Sequence, residues 1–281
     1  MKSIGAWAFE LSTCQSVHLN EGIVSIGEYA FYETTQLKAI SIPLSVTSIG
    51  TRAFMRSAIV NVQLSGNVKV IPEGLFYESI LKSLEIPQGV TEIGEWAFRM
   101  NQNLTDVTIA GSVKTIGKEA FDHCNIDRLI LNEGVEVIGP GAFNGLEVEN
   151  LALPKSVKSI GQFAFNSYVF NEVRPKNGVP GQLDDDGFSS WTYQDSRLVM
   201  PDGSLEAYRN APGWRRFDHI MTVSGLSGVD GVLEEAEADD ECVYYDMSGV
   251  RTTEPESGKP YIKVDKASNK RGMVVRRPRV R

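Results

Sequence analysis

Few residues in this sequence have the chemistry to act on a substrate, and they are scattered. They are three histidines (His18, His123 and His219), three cysteines (Cys14, Cys124 and Cys242) and one acidic tract, Asp184-Asp185-Asp186-Gly187. A nucleophile needs a base within hydrogen-bond reach, and the base needs a third group to orient it. Nothing in the spacing converges on such a set. No Cys-x-x-Cys pair is present, so neither a zinc site nor a thioredoxin-type couple is read. The aspartate tract lacks the further oxygen ligands and the closing glutamate of a calcium loop and reads as a polar loop. We therefore expect no catalytic residue, no bound metal and no cofactor. A second kind of chemistry, recognition, needs aromatic faces and guanidinium groups placed together. Trp7, Tyr29 and Arg52 fall at equivalent positions of successive repeats, where they can stack and form a cation–π rung.

Those positions are equivalent because the string I-G-x-x-A-F recurs. It begins at Ile4, Ile26, Ile49, Ile71, Ile93, Ile116, Ile138 and Ile160, always 22 or 23 residues apart, and the fourth copy reads IPEGLF. The closing phenylalanines are Phe9, Phe31, Phe54, Phe76, Phe98, Phe121, Phe143 and Phe165. Between these turns lies an L-x-x-V-x-L element such as Leu104, Val107 and Ile109, followed by an apolar residue three before the next isoleucine, such as Val113. The alternation in V-x-L predicts a half-buried strand. The A-F segment is read as one helical turn. A single unit cannot bury its own apolar side, whereas a stack can. The expected fold is therefore a repeat solenoid: a leucine-rich-repeat, right-handed superhelix with a parallel β-sheet and short helical turns, in eight repeats. Another parallel β-solenoid is the alternative.

The repeat LKAISIPLSVTSIGTRAF resembles the BspA-like leucine-rich repeats of Bacteroides-type surface and secreted proteins over residues 1–174. The segment FSSWTYQDSRLVMPDGSLEAYRNAPGWRRFDHI resembles the cap that closes such solenoids. The resemblance implies an extracellular or cell-surface location, an adhesive or recognition role and no common catalytic residues.

The remaining chain divides by composition. Residues 175–223 leave the period and are read as the cap, with Phe188, Trp191, Tyr193, Leu198, Tyr208, Trp214, Phe217 and Ile220 covering the last turn. Residues 224–241 read as a linker, since six of the eight residues from Glu234 to Glu241 are acidic. Residues 242–281 read as a small β-rich module, and YYDMSGVR…GKPYIKV is similar to secretion-sorting modules of Bacteroidetes. The chain starts inside a repeat, which suggests that upstream residues, a signal peptide among them, lie outside this sequence. The net charge of −8 argues against nucleic acid as a partner, and no apolar run reaches the length of a membrane span.

The expected function is a non-catalytic recognition or adhesion protein that binds an extracellular protein or glycan through the solenoid face. The alternative is a structural spacer without a ligand. On the strands, residues flanking the apolar ones share the outward face. In the second half of the stack these are Asp106, Asp127, Arg128, Ile130, Glu149, Ala152, Glu172 and Arg174, an apolar spot rimmed by charge and the first candidate binding patch. The Trp7–Tyr29–Arg52 ladder is the second.

Overall fold

The structure is a computed structural model that describes residues 2–167 and 170–225 and the backbone of four further strands. The chain divides into two compact units, Met1–Ile220 and Met221–Arg281.

The first unit is a parallel β-solenoid. Each isoleucine of the I-G string closes a two-residue strand, from Ser3–Ile4 and Ser25–Ile26 to Ser159–Ile160 and Gln182–Leu183. Isoleucine pairs with isoleucine from one rung to the next: Ile26 with Ile49, Ile116 with Ile138, Ile138 with Ile160. From the second rung on, the V-x-L elements make a second strand, clearest at Ser83–Ile86, Asp106–Ile109 and Arg128–Leu131, whereas the first copy, Val17 to Leu19, forms no strand. Their pairing is parallel and in register, Leu84 beside Val107 and Val107 beside Leu129. A one-residue slip would turn every apolar side chain out to solvent, so the buried columns fix the register.

The core is an aromatic stack. Nine phenylalanine rings, Phe9 to Phe165 and then Phe188, lie nearly parallel with centroids 4.9 to 5.9 Å apart. The ninth ring reveals a rung inside the segment read as cap. Leu183 takes the isoleucine position and pairs with Ile160, and Phe188 takes the phenylalanine position. The tract Asp184–Gly187 is the turn of that rung, where Gly187 N donates to the Asp184 carbonyl. The cap proper follows. Tyr193 and Phe217 meet the Phe188 ring edge-on, Tyr208 hydrogen-bonds the Asn177 carbonyl, and Trp214 Nε1 donates to the Gly181 carbonyl at 2.7 Å. Trp191, by contrast, stays exposed.

The A-F segment differs from the helical turn expected of it. It is a pair of tight turns with the residue two before and the residue two after each phenylalanine from Phe9 to Phe143 at positive φ, the first of the two also at Phe165. The first column holds Trp7, Tyr29, Arg52, Gly74, Trp96, Glu119, Gly141 and Phe163, and the second includes Leu11, Glu33, Arg56, Glu78, Met100 and His123. A helix would consume each backbone N–H internally. Here alternate N–H groups point along the stack to the next rung: Tyr29 N to the Thr51 carbonyl, Phe31 N to Ala53, Glu33 N to Met55. The left-handed residues make this possible, at about 1–2 kcal/mol for each one that is not glycine.

Behind the phenylalanines runs a buried polar column, Thr34, Ser57, Ser79, Asn101 and Cys124. Its side chains satisfy turn carbonyls that the rungs leave open. Asn101 Nδ2 donates to the Phe76 and Phe98 carbonyls and its Oδ1 accepts from Leu81 N. The Cys124 thiol turns inward to the Phe98 carbonyl, and burial pushes it from 9.0 up to about 12. It is therefore expected to resist iodoacetamide in the folded chain at mildly alkaline pH and to react at once in denaturant. Stability tied to the neutral thiol is complete below the unfolded value and is lost as pH rises from about 9 toward 12. Rapid alkylation of the native chain would contradict this.

The second unit contains a four-stranded antiparallel sheet. Its strands are Cys242–Tyr245, Arg251–Thr252, Pro260–Asp265 and Arg271–Val275, with Cys242–Tyr245 and Pro260–Asp265 paired at its centre. The acidic run Glu234–Glu241 lies outside the described residues, as does the basic end of the chain from Arg276.

Candidate functional site

Among the described residues the catalytic candidates stay apart. His18 and His219 are exposed at different places on the first unit. His123 Nδ1 lies 2.6 Å from Asp122 Oδ1, but the neighbouring thiol of Cys124 points the other way, into the core.

The strand face of rungs five to eight falls in two sheets, one ending at Arg128–Leu131 and the next beginning at Asn150–Leu153. Arg128 sits beside Asp106, Ile130 beside Thr108, and Ala152 beside Arg174. Asp127 and Glu149 stand exposed just ahead of their strands. Several of the charges there are paired: Arg128 with Asp106 at 3.8 Å, while Glu172 accepts from Arg174 at 2.5 Å and Arg197 at 3.1 Å. Ile130 is half-buried, so the apolar spot is small.

The turn edge is different. Because the residue two before each phenylalanine is left-handed, its side chain is carried onto the outside of the turn, beside the residue that follows the phenylalanine. Trp7, Tyr29, Arg52 and Trp96 from the first set meet Tyr32, Met55, Tyr77 and Arg99 from the second and Arg56 from the next column. Together these nine line a shallow groove of about 590 Å³ running from rung one to rung five. Trp7 and Tyr29 stack at 4.1 Å with their planes 6° apart, and Tyr32 sets its ring edge-on to both. Arg52 continues the ladder, its guanidinium 5.9 Å from the Tyr29 ring centre and its Nη1 donating to the Tyr29 hydroxyl at 2.9 Å. At rung four the ladder has no side chain. A Cβ on Gly74 would come 2.8 Å from Arg52 Cγ, so Arg52 leans over the space that Gly74 leaves. Trp96 resumes the column in rung five, with its Nε1 donating to Glu119 Oε2 at 3.1 Å and Lys118 Nζ 5.7 Å from its ring centre.

Each guanidinium in the groove is held by carboxylates. Arg52 pairs with Glu73, Arg56 with Glu33 and Glu78, and Arg99 with Glu119 and the buried Asp122. The Tyr29 hydroxyl raises the Arg52 pKa, and bonds to Glu78, Tyr32 and Glu33 raise that of Arg56 further. Tyr32 is raised chiefly by its bond to Glu33, and Tyr77 chiefly by burial. Tyr32 and Tyr77 are thus held as neutral phenols beside the fixed Arg52 and Arg56 cations.

Reading repeats in register finds Trp7, Tyr29 and Arg52, which share a column. It misses Tyr32, Met55, Tyr77 and Arg99, which form the column one after the phenylalanine. A tally of that column, Glu10, Tyr32, Met55, Tyr77 and Arg99, carries the signal.

Comparison with known proteins gives a family and a fold. Residues 2–127 and 91–190 match the profile of the BspA type Leucine rich repeat region, in 6 copies. A leucine-rich repeat protein from Bacteroides ovatus is similar in structure, with 20% identity and a TM-score of 0.53. That match covers 80% of this chain and 53% of the other, so this chain spans about half the length of that protein. The pneumococcal vaccine antigen PcpA has 18% identity and a TM-score of 0.46, covering 79% of this chain and 71% of that one. A leucine-rich cell surface protein from Faecalibacterium prausnitzii has 16% identity and a TM-score of 0.44, covering 82% and 85% respectively. No functionally curated protein matches the sequence. No helix among the described residues is long and apolar enough to cross a membrane.

Proposed function

The chain belongs to the BspA-type leucine-rich repeat family, and on that premise we propose that it is a non-catalytic recognition protein, secreted or surface-exposed, that binds an extracellular macromolecule through the turn edge of its solenoid. One observation carries this reading. All nine residues lining the groove are Trp, Tyr, Met or Arg, the types enriched in binding surfaces. Four of them belong to a column where glycine is the least costly residue, and rungs four and seven do carry glycine there. Holding Trp, Tyr and Arg in left-handed backbone costs about 1–2 kcal/mol each. Stacking offsets part of that cost for Trp7 and Tyr29, at about 0.5–1.5 kcal/mol. A spacer would have no reason to keep the remainder.

The native glycines supply a clean test, because Trp96→Gly copies what rung four already has. The variant is expected to fold with a Tm within about 4 °C of the parent. On an array of extracellular-matrix proteins and glycans, at least one ligand of the parent should bind it about tenfold more weakly or worse. If binding survives Trp96→Gly and is lost instead on Arg128→Glu, the site lies on the strand face and this reading is wrong.

A further inference from the structure

We propose that the turn-edge groove is a row of subsites for a neutral, linear oligosaccharide lying along the solenoid axis. This rests on the groove being the binding site and adds the class of ligand.

Charge excludes one set of partners. In and around the groove stand four cations, Arg52, Arg56, Arg99 and Lys118, against six carboxylates, Glu33, Glu73, Glu78, Glu95, Glu119 and Asp122. Every one of these cations already has an anionic partner, and the surplus is negative. A polyuronate, a sulfated glycan or a nucleic acid brings anions to a surface with no cation to spare, and meets repulsion.

The same pairs suit a polyol. A hydroxyl group donates one hydrogen bond and accepts others, so it is satisfied by an N–H and a carboxylate oxygen side by side. Arg52 with Glu73, Arg56 with Glu78 and Arg99 with Glu119 each present such a couple on the groove wall. Tyr29 and Tyr32 hold their hydroxyls in that network. The groove shares these polar couples with the apolar surfaces of Trp7, Tyr77 and Trp96, and Trp7 is 47% exposed. A pyranose ring has a hydroxyl rim and an apolar C–H face, and this combination matches it.

Spacing separates a glycan from a peptide. Rungs repeat every ~4.8 Å, about the length of one pyranose unit in an extended chain. Like-facing side chains of an extended peptide recur every ~6.7 Å, so a peptide falls out of step within three rungs. Trp7 and Trp96 are four rungs apart, which is ~19 Å and spans about five sugar units.

The test is calorimetry on the full chain. The probes are cello-, laminari-, manno- and xylo-oligosaccharides from disaccharide to hexasaccharide, an oligogalacturonate and an oligoarginine peptide. One neutral series should bind, with affinity rising through the pentasaccharide and levelling off at the hexasaccharide. Raising salt should leave its Kd unchanged within about twofold, because no net charge is neutralised. Trp96→Gly and Trp7→Gly should each weaken the hexasaccharide about tenfold and leave the disaccharide less affected. Absence of binding by every neutral series overturns the proposal. So does binding of oligogalacturonate or oligoarginine alone, and if that binding is lost in Trp96→Gly, the groove stands and only the ligand class falls. Neutral binding that both variants retain overturns the groove itself.

Discussion

Gly50→Ala is expected to destabilise the solenoid by about 3 kcal/mol or more, while Gly5→Ala, at the same position of the first rung, has no measurable effect. A Cβ on Gly50 would lie 2.3 Å from the backbone nitrogen of Glu28 and 2.6 Å from the carbonyl carbon of Gly27. On Gly27 it would lie 2.4 Å from the backbone nitrogen of Ala6. The obstacle is main chain, so no rotamer change relieves it. Neither glycine has positive φ, so the requirement is for space and not for an unusual backbone. A Cβ on Gly5 would meet nothing within 4 Å. Pro72 fills this column in rung four, which shows that the tolerance varies along the stack. At the next rung a Cβ on Gly94 would approach the Ile71 carbonyl oxygen at 2.8 Å, a looser fit than at Gly50. Urea denaturation of the two variants checks the contrast. A Gly50→Ala protein within about 0.5 kcal/mol of the parent would mean that the rungs slide apart at little cost.

Phe98→Ala should be the most damaging truncation of the core, with a loss of about 3–5 kcal/mol. The ring is fully buried, 5.9 Å from Phe76 and 5.0 Å from Phe121. Removing it leaves a cavity that stiff neighbours on both sides cannot fill. In a stack each rung touches only its neighbours, so the defect also uncouples rungs one to four from rungs six to nine. Denaturation is then expected to become shallower or to split in two. Phe9→Ala should lose far less, because Phe9 is 37% exposed and stacks on one ring only. Equal losses at Phe9 and Phe98 would refute the nearest-neighbour picture.

The period, the strands and the core columns were legible because burial writes side-chain type directly into the sequence. Phe31, Ile49 and Ala53 had to be apolar, and they recur. The ninth rung was not legible. Leu183, Asp184 and Gly187 replace the isoleucine, glycine and alanine of the signature, and only Phe188 remains. The turn was misread as helical for a related reason. Apolar spacing reports which side chains are buried and says nothing of the sign of φ, and Trp, Tyr and Arg have no preference for left-handed backbone. Gly74 and Gly141, alone in a column of large residues, were the available hint. The candidate site followed the same divide. Trp7, Tyr29 and Arg52 share a column and could be found by counting, whereas Tyr77 and Arg99 join them only once the true turn geometry brings two columns to one edge.

Solvent-facing columns and core columns are disjoint in this fold. The left-handed positions hold Trp, Leu, Tyr, Glu, Arg, Met, His, Phe and Gly without disturbing the phenylalanine stack behind them. Substitutions there leave the phenylalanine stack in place, so the turn edge can drift under selection for what it touches while the scaffold stays fixed. Duplicating or deleting a rung lengthens or shortens the surface by one unit and leaves the others as they were. Such a protein changes specificity much as a text is edited, by replacing or inserting letters on an unchanged page.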